Sequence, residues 1–427
     1  MDKILIQSAR ILDPSSGRDE NGDILIIDGK IQQIGGRISC EDAQKVDVCG
    51  LTAAPGLVDM HVHLRDPGQT QKEDILSGCR AAAAGGITSL LCMPNTNPAA
   101  DTPETVEYIR NKAESADARV YVAGAISRDL QGLEPADWNA LKSAGAAALS
   151  DDGNPVANTA LMAAAMRAAA RLGMAVCSHC EDLTLSEGGK VNEGAVSEAL
   201  RVKGIPPAAE DCGVAREIAL AAVYGTPVHI CHVSTRNSVA MIRNAKYRGV
   251  PVTAETAPHY FGLTERELLK RDADYRMNPP LRTEEDRLAI FEGLRDGSID
   301  AIATDHAPHT PQEKADFLNA PSGVIGMETS LAAGITYLVK PGRLTLMRLL
   351  QLMSLNPAKI LNIPAGTLQA GVNADIILFD PNERWTVDPA KLHGKSRNAV
   401  FKGRKLTGRV KLTFCRGKIV FRDTAKE

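Results

Sequence analysis

The chain has 427 residues, 44% hydrophobic and 24% charged, the make-up of an ordinary globular protein with material for a large core. That length excludes a small disulfide scaffold and suits several domains, or one large barrel with an attachment. Against 52 Asp and Glu stand 49 Lys and Arg, a net charge of −3, so there is no cationic field for phosphate backbones or anionic lipid, and nucleic acid is not an expected partner.

The amino-terminal segment reads as strands and hairpins: 3–12, 23–27, a turn at Asp28-Gly29, and 30–34, with β-branched alternation and glycine punctuation. The carboxy-terminal segment has the same texture in 374–379, 409–414, a turn at Arg416-Gly417, and 418–421. The two ends share a pattern, Asp28-Gly29-Lys30-Ile31 and Arg416-Gly417-Lys418-Ile419. Matching textures most simply pair into one small discontinuous β domain, residues 1–52 and 365–427; two independent edge hairpins are the alternative.

Between them, residues 53–364 alternate short apolar runs with longer amphipathic or Ala-rich stretches, a βαβα rhythm. Eight runs read as strands: 56–63, 87–92, 119–124, 146–150, 174–179, 227–232, 250–255 and 300–305. Helices are expected over 74–84, 103–115, 158–172, 208–224, 235–248 and 284–296. This is an α/β chain whose count suits a closed (β/α)8 TIM-like barrel, with a doubly wound open sheet as the competing architecture. The longest apolar run, Ala81 to Met93, is 13 residues with two glycines, short of the ~20 that cross a bilayer. The 9 dispersed cysteines, an odd number, and an opening Met-Asp-Lys-Ile without a signal-peptide pattern point to a reducing cytoplasm.

What terminates the strands is more informative. The first ends His61-Val62-His63, the fourth runs into Asp151-Asp152, the fifth ends at His179, the sixth at His232 and the eighth at Asp305. In a barrel the carboxyl ends of the strands form the catalytic face, so these side chains would meet at one mouth. His61 and His63, two apart on a strand, face the same side, as a shared metal requires. Imidazole with carboxylate suits Zn²⁺, with Mn²⁺ or Co²⁺ as alternatives, and thiolate is not needed although Cys177, Cys180 and Cys231 lie nearby. A two-metal site can activate water and polarise a carbonyl, the equipment for hydrolysing an amide or its cyclic equivalents. No two glycines are separated by one residue and no Walker A pattern occurs, which leaves nucleotide chemistry without a motif. Arg65 beside the H-x-H is placed to read a carboxylate. Asn95, Asn278 and His309 are further polar candidates, whereas His229, His306 and His393 read as packing residues.

At this point the motifs are recognisable. Asp59-Met60-His61-Val62-His63-Leu64-Arg65, and Ala303-Thr304-Asp305-His306-Ala307-Pro308-His309 followed by Lys314, resemble the two signatures of the dihydroorotase family in the amidohydrolase superfamily. The resemblance spans the whole chain and implies a (β/α)8 barrel with a β-sandwich from both termini. It implies two zinc ions per subunit, one on His61, His63 and Asp305, the other on His179 and His232, bridged by Asp152 and a hydroxide nucleophile. Hydantoinases and allantoinases bridge with a carboxylated lysine, but no lysine occurs from Ser143 to Asp152. The resemblance is therefore to the bacterial class that uses aspartate, and it selects Asp152 over Asp151. It also implies Asp305 as general acid and base for the reversible cyclisation of N-carbamoyl-L-aspartate to dihydroorotate. Substrate contacts would come from His63, Arg65, Asn95, Asn278, His309 and the loop at Ser322-Gly323, where related enzymes often carry an aromatic residue in place of Ser322. Residues 307–322 are long enough to form a lid. A homodimer is common in the family, and association with aspartate transcarbamoylase is a further implied partnership. The rival readings are another cyclic amidase and a metal-free scaffold for that transcarbamoylase.

Overall fold

The computed structural model describes residues 2–424. Five strands come first: β1 (Lys3–Asp13), β2 (Arg18–Ile27), β3 (Lys30–Ile34), β4 (Gln44–Asp47) and β5 (Thr52–Pro55). The middle region begins with β6 (Leu57–Val62), β7 (Ile87–Cys92), β8 (Arg119–Ala125), β9 (Ala148–Ser150) and β10 (Ala175–Ser178). A two-residue pair, β11 (Val191–Asn192) and β12 (Gly204–Ile205), precedes β13 (Val228–Ile230), β14 (Val252–Thr256) and β15 (Ala301–Ile302). Then come β16 (Ile376–Thr386), β17 (Lys405–Cys415) and β18 (Lys418–Arg422).

The strands of the two ends belong to one sheet, in the order β18-β17-β16-β5-β1-β2-β3 with β4 also on β1. The junction is β5 against β16, with Thr52 opposite Phe379 and Pro55 opposite Ile376. The sheet forks at β1, whose residues 4–7 pair with β4 and whose residues 10–11 pair with β5. Ile6, Ile11 and Ile24 from one end and Ile376, Leu378 and Phe414 from the other fill a single apolar cluster. The shared turn pattern also has a packing reason. Gly29 (φ 78) and Gly417 (φ 75) stack so closely that a Cβ on Gly417 would lie 2.2 Å from the Gly29 Cα.

The other eight-stranded sheet is parallel throughout and runs in chain order from β6 to β15. It closes where Val62 pairs with His306 and the His63 N–H donates to the His306 carbonyl at 2.8 Å. The helices begin where short polar side chains can cap them. Asp74 caps Ile75–Ala84, Asn158 caps Thr159–Leu172, and Thr283 with Asp286 forms a capping box for Glu284–Asp296. The helix expected over 103–115 is α-helical only to Lys112, and its last turn tightens to a 3-10 turn over Ala113–Ser115. No helix among the described residues is long and apolar enough to cross a membrane.

Candidate active site

The parallel ladders end earlier than the apolar runs. β15 covers only Ala301–Ile302, β13 only Val228–Ile230 and β10 stops at Ser178. Beyond those points the chain no longer follows sheet geometry: His232 sits at φ 35, Asp305 at φ 48 and Arg65 at φ 60. Left-handed backbone at non-glycine residues is disfavoured and concentrates where a site demands a particular side-chain direction. Here it turns the side chains inward over the barrel mouth.

They meet around Asp152. Its Oδ1 lies 3.2 Å from His61 Nε2, 3.4 Å from His232 Nε2 and 3.6 Å from His179 Nδ1, and its Oδ2 lies 3.4 Å from His63 Nε2. Asp305 Oδ1 is 3.3 Å from His63 Nε2 and 3.8 Å from His61 Nε2. All six residues are buried. Asp151 turns away: its carboxylate accepts from the Ile126 and Ser127 amides at 2.7 and 3.1 Å and from the Ser127 hydroxyl.

Burial pushes the Asp152 pKa up, but His61, His179 and His232 hold it well below the usual carboxylate range. Asp305 is held at about 2 against burial, by His63, His61 and His232. Both carboxylates are therefore ionised at neutral pH. His61 Nε2 is buried without a hydrogen-bond partner while facing both of them. Imidazole lone pairs and anionic oxygens converging on one point repel unless protons or cations stand between them. The donor set of nitrogen and carboxylate oxygen suits zinc, and two triads place their ligand atoms within 4.8 Å of one another: His61, Asp152 and His232, and His61, His63 and Asp305.

Each of three imidazoles is also held from behind. His61 Nδ1 meets Glu255 Oε1 at 3.1 Å, His63 Nδ1 meets Asn95 Oδ1 at 2.7 Å, and His179 Nε2 meets Glu181 Oε2 at 2.9 Å. Such partners fix tautomer and ring orientation in metal sites. Sequence reasoning missed Glu181 and Glu255. Glu255 had a signal, since it ends the seventh strand-like run just as the ligand candidates end theirs. Cys231 Sγ lies with His61 and Glu255 within 4.8 Å, beneath the floor.

A cavity of about 380 Å³ opens above this cluster. All of the metal-ligand and substrate-contact residues expected from sequence line it except His61 and His309. Arg65 is buried, its Nε donates to the Pro308 carbonyl at 3.4 Å, and no carboxylate stands within ion-pair distance of it among the described residues. Asn278 Nδ2 donates to Glu181 Oε2 at 2.9 Å, which leaves its Oδ1 for a ligand. His309 lies behind the wall, with Nε2 3.0 Å from the Ser322 carbonyl. Burial and the cations Arg65, Lys314 and Lys72 lower its pKa to about 3, so it is neutral and Nε2 carries the donated hydrogen. The Gly323 N–H donates to the Arg276 carbonyl at 2.9 Å, and the Gly323 carbonyl accepts from Asn398 Nδ2 at 3.0 Å. At φ 145 a Cβ on Gly323 would press on Ala307 and on the His309 ring, so this position gives the cavity room. The 307–322 segment is fastened at both ends by Asn398 and internally by Lys314, whose Nζ donates to the Arg276 and Pro321 carbonyls at 3.1 and 2.9 Å. A cavity of equal volume at the junction of barrel and terminal sheet, between Trp385 and Phe421, has no such cluster.

Comparison with known proteins agrees with this geometry. A dihydro-orotase-like family model matches residues 50–238, and an amidohydrolase family model matches residues 250–421. The dihydroorotase of Citrifermentans bemidjiense is 50% identical over 421 residues, covering 98% of this chain and 99% of the relative. That of Pelotomaculum thermopropionicum is 48% identical over 422 residues, covering 99% of both. Among solved structures, L-hydantoinase (dihydropyrimidinase) from Arthrobacter aurescens superposes with a TM-score of 0.88 at 26% identity, covering 98% of this chain and 96% of that one. Dihydropyrimidinase from Brevibacillus agri gives 0.85 at 25% identity, covering 98% and 95%. Full-length identity near one half, joined to a barrel that gathers both signature motifs at one mouth, means that the chain belongs to the dihydroorotase family of the amidohydrolase superfamily.

Proposed function

We propose that the chain catalyses the reversible cyclisation of N-carbamoyl-L-aspartate to (S)-dihydroorotate, a step of de novo pyrimidine (UMP) synthesis. The observation that carries this choice of substrate is Arg65. A buried guanidinium without a carboxylate partner is costly to leave unpaired, and it lines the same cavity as the imidazole and carboxylate cluster. A substrate carboxylate would complete it. The structural neighbours named hydantoinase suggest a neutral cyclic amide instead, but such a substrate would leave Arg65 unanswered.

In this reading His61, His63 and Asp305 would hold one zinc ion, and His179 and His232 a second, with Asp152 available as a carboxylate ligand between the two sets. When bound, the pair supplies a water-derived nucleophile at neutral pH and a Lewis acid for the amide carbonyl. Arg65 and the Asn95 amide orient the substrate carboxylate, with His309 supporting that wall through the Ser322 carbonyl, and Asn278 Oδ1 is free for the ring. Asp305, ionised at neutral pH, accepts a proton on its carboxylate during ring opening and delivers it to the departing ring nitrogen. Microscopic reversibility gives ring closure, which consumes a proton and is favoured at lower pH.

Residues 53–364 are the catalytic barrel in this proposal, and residues 1–52 with 365–427 the β-sandwich domain. Nine free cysteines support a reducing, cytoplasmic setting. The family resemblance supports a homodimer and association with aspartate transcarbamoylase. Metal analysis of the purified protein with parallel assays on dihydroorotate, hydantoin and allantoin tests the whole reading. Dihydroorotate turnover with bound zinc is the expected result, whereas turnover of hydantoin or allantoin alone, or a metal-free protein without turnover, overturns it.

A further inference from the structure

Below the cavity floor, the barrel interior holds a carboxylate and an imidazole that the reaction does not use. Glu255, near the end of β14, and His229, in β13, are each 1% exposed. Around them the interior is lined by apolar side chains such as Met60, Leu91, Ala301 and Ala303. An ionised carboxylate persists in such surroundings only when its oxygens are paired. Both oxygens of Glu255 face imidazoles: Oε1 is hydrogen-bonded to His61 Nδ1 at 3.1 Å, and Oε2 lies within ion-pair distance of His229 Nε2 at 3.3 Å without a hydrogen bond. His229 Nδ1 is in turn fixed by Thr253 Oγ1 at 2.9 Å. Three contacts thus run down the barrel from His61 to β14.

This arrangement has a consequence for His61. With its Nδ1–H donated to Glu255, the ring presents a lone pair on Nε2, the atom that faces Asp152 and Asp305 at 3.2 and 3.8 Å. The ring can neither flip nor exchange tautomers without breaking the contact below. His63 and His179 have partners too, but Asn95 and Glu181 line the cavity, where a substrate can reach them. Glu255 does not, and it is approached from beneath by the buried His229. We propose that Glu255, braced by His229, is the positioning residue for His61, and that the pair sets how tightly the ion shared by His61, His63 and Asp305 is retained. The proposal rests on the metal-centre reading above.

The test is reconstitution of the metal-stripped full-length protein with Co²⁺, following its visible d–d absorption and its loss to a competing chelator. Glu255→Ala should weaken cobalt retention by about 10–100-fold and alter the absorption envelope. On the metal-loaded fraction KM should stay within about 2-fold, because no substrate contact has been removed. Glu255→Gln keeps an oxygen for His61 Nδ1–H and an amide for His229, and should restore most of the retention. His229→Ala, whose side chain faces neither the cavity nor Asp152, should shift retention in the same direction by less. If Glu255→Ala does not fold, Glu255→Asp, with its carboxylate drawn back, carries the same expectation. Wild-type retention and spectrum in the Ala or Asp variant, or a loss in Glu255→Gln as large as in Glu255→Ala, overturns the positioning role. If the wild type takes up no cobalt, the metal-centre reading itself fails, an outcome distinct from the other two.

Discussion

His63 Nδ1 and Asn95 Oδ1 are joined at 2.7 Å across the mouths of β6 and β7. Asn95 therefore serves two neighbours: its oxygen orients a metal-ligand candidate, and its Nδ2, which makes no hydrogen bond among the described residues, is free for the cavity that Arg65 lines. Asn95→Ala loses both functions and should lower kcat/KM for dihydroorotate by about 10–100-fold. Asn95→Asp keeps the acceptor for His63 but sets a carboxylate beside the substrate's own, so KM should rise more than kcat falls. Steady-state kinetics on metal-loaded protein separates the two effects, and an unchanged KM in Asn95→Asp would show that the amide does not face the substrate.

Asp305 combines a ligand position with a carboxylate held at about 2, against burial, by His63, His61 and His232. Asp305→Asn retains an oxygen of similar reach but cannot carry a proton between nucleophile and leaving nitrogen. The variant should keep its metal and lose turnover in both directions by about 10²–10⁴-fold. Metal content measured beside both assays decides the matter: a loaded enzyme with near-normal turnover would remove the acid and base role.

Periodicity made His61 and His63 legible as a pair, because side chains two apart on a strand share a face, and the strand rhythm placed all eight barrel strands in order. The reading fails where the ladder ends. Asp151 and Asp152 follow β9 directly, and the choice between them is made by the Ile126 and Ser127 amides that capture Asp151. No spacing rule encodes that capture. Glu255 meets His61 across 194 residues of chain, a contact created only by barrel closure. His309 stands in a recognisable motif, yet the path of 307–322 turns its ring onto the Ser322 carbonyl, and loop courses leave no periodic trace. Strand identity is written in local pattern, whereas the partners behind each ligand are written in tertiary geometry.

Arg65 gives the substrate carboxylate its own test, because activity and stability should move in opposite directions. Removing one partner of a buried, hydrogen-bonded charge pair typically costs about 2–5 kcal/mol, which is about 30-fold or more in kcat/KM. Arg65→Met should show that loss while raising the denaturant midpoint of the substrate-free protein, since a buried cation without a carboxylate partner is gone. A lower midpoint with unchanged kcat/KM would assign Arg65 to structure instead.

Lys314 supplies a pH signature for the loop over the site. Burial lowers its pKa from 10.5 to about 8, with Arg276 adding to the shift and Asp274, Asp272 and Glu313 opposing it. The ammonium is retained for its hydrogen bonds to the Arg276 and Pro321 carbonyls, which pin the segment. Below pH 8 the lysine is protonated in both folded and unfolded chains, so the cost of burying the charge is constant there. Between about 8 and 10.5 the unfolded chain holds the proton while the folded chain releases it. The unfolded state then binds more protons, and stability must rise with pH across that window. At about 1.4 kcal/mol per pKa unit, the rise attributable to Lys314 is of order 3 kcal/mol. Denaturant unfolding of wild type and Lys314→Met across that window should show the increment in the wild type and not in the variant. Parallel pH dependence in the two proteins would mean that Lys314 keeps an ordinary pKa and that its loop is open to water.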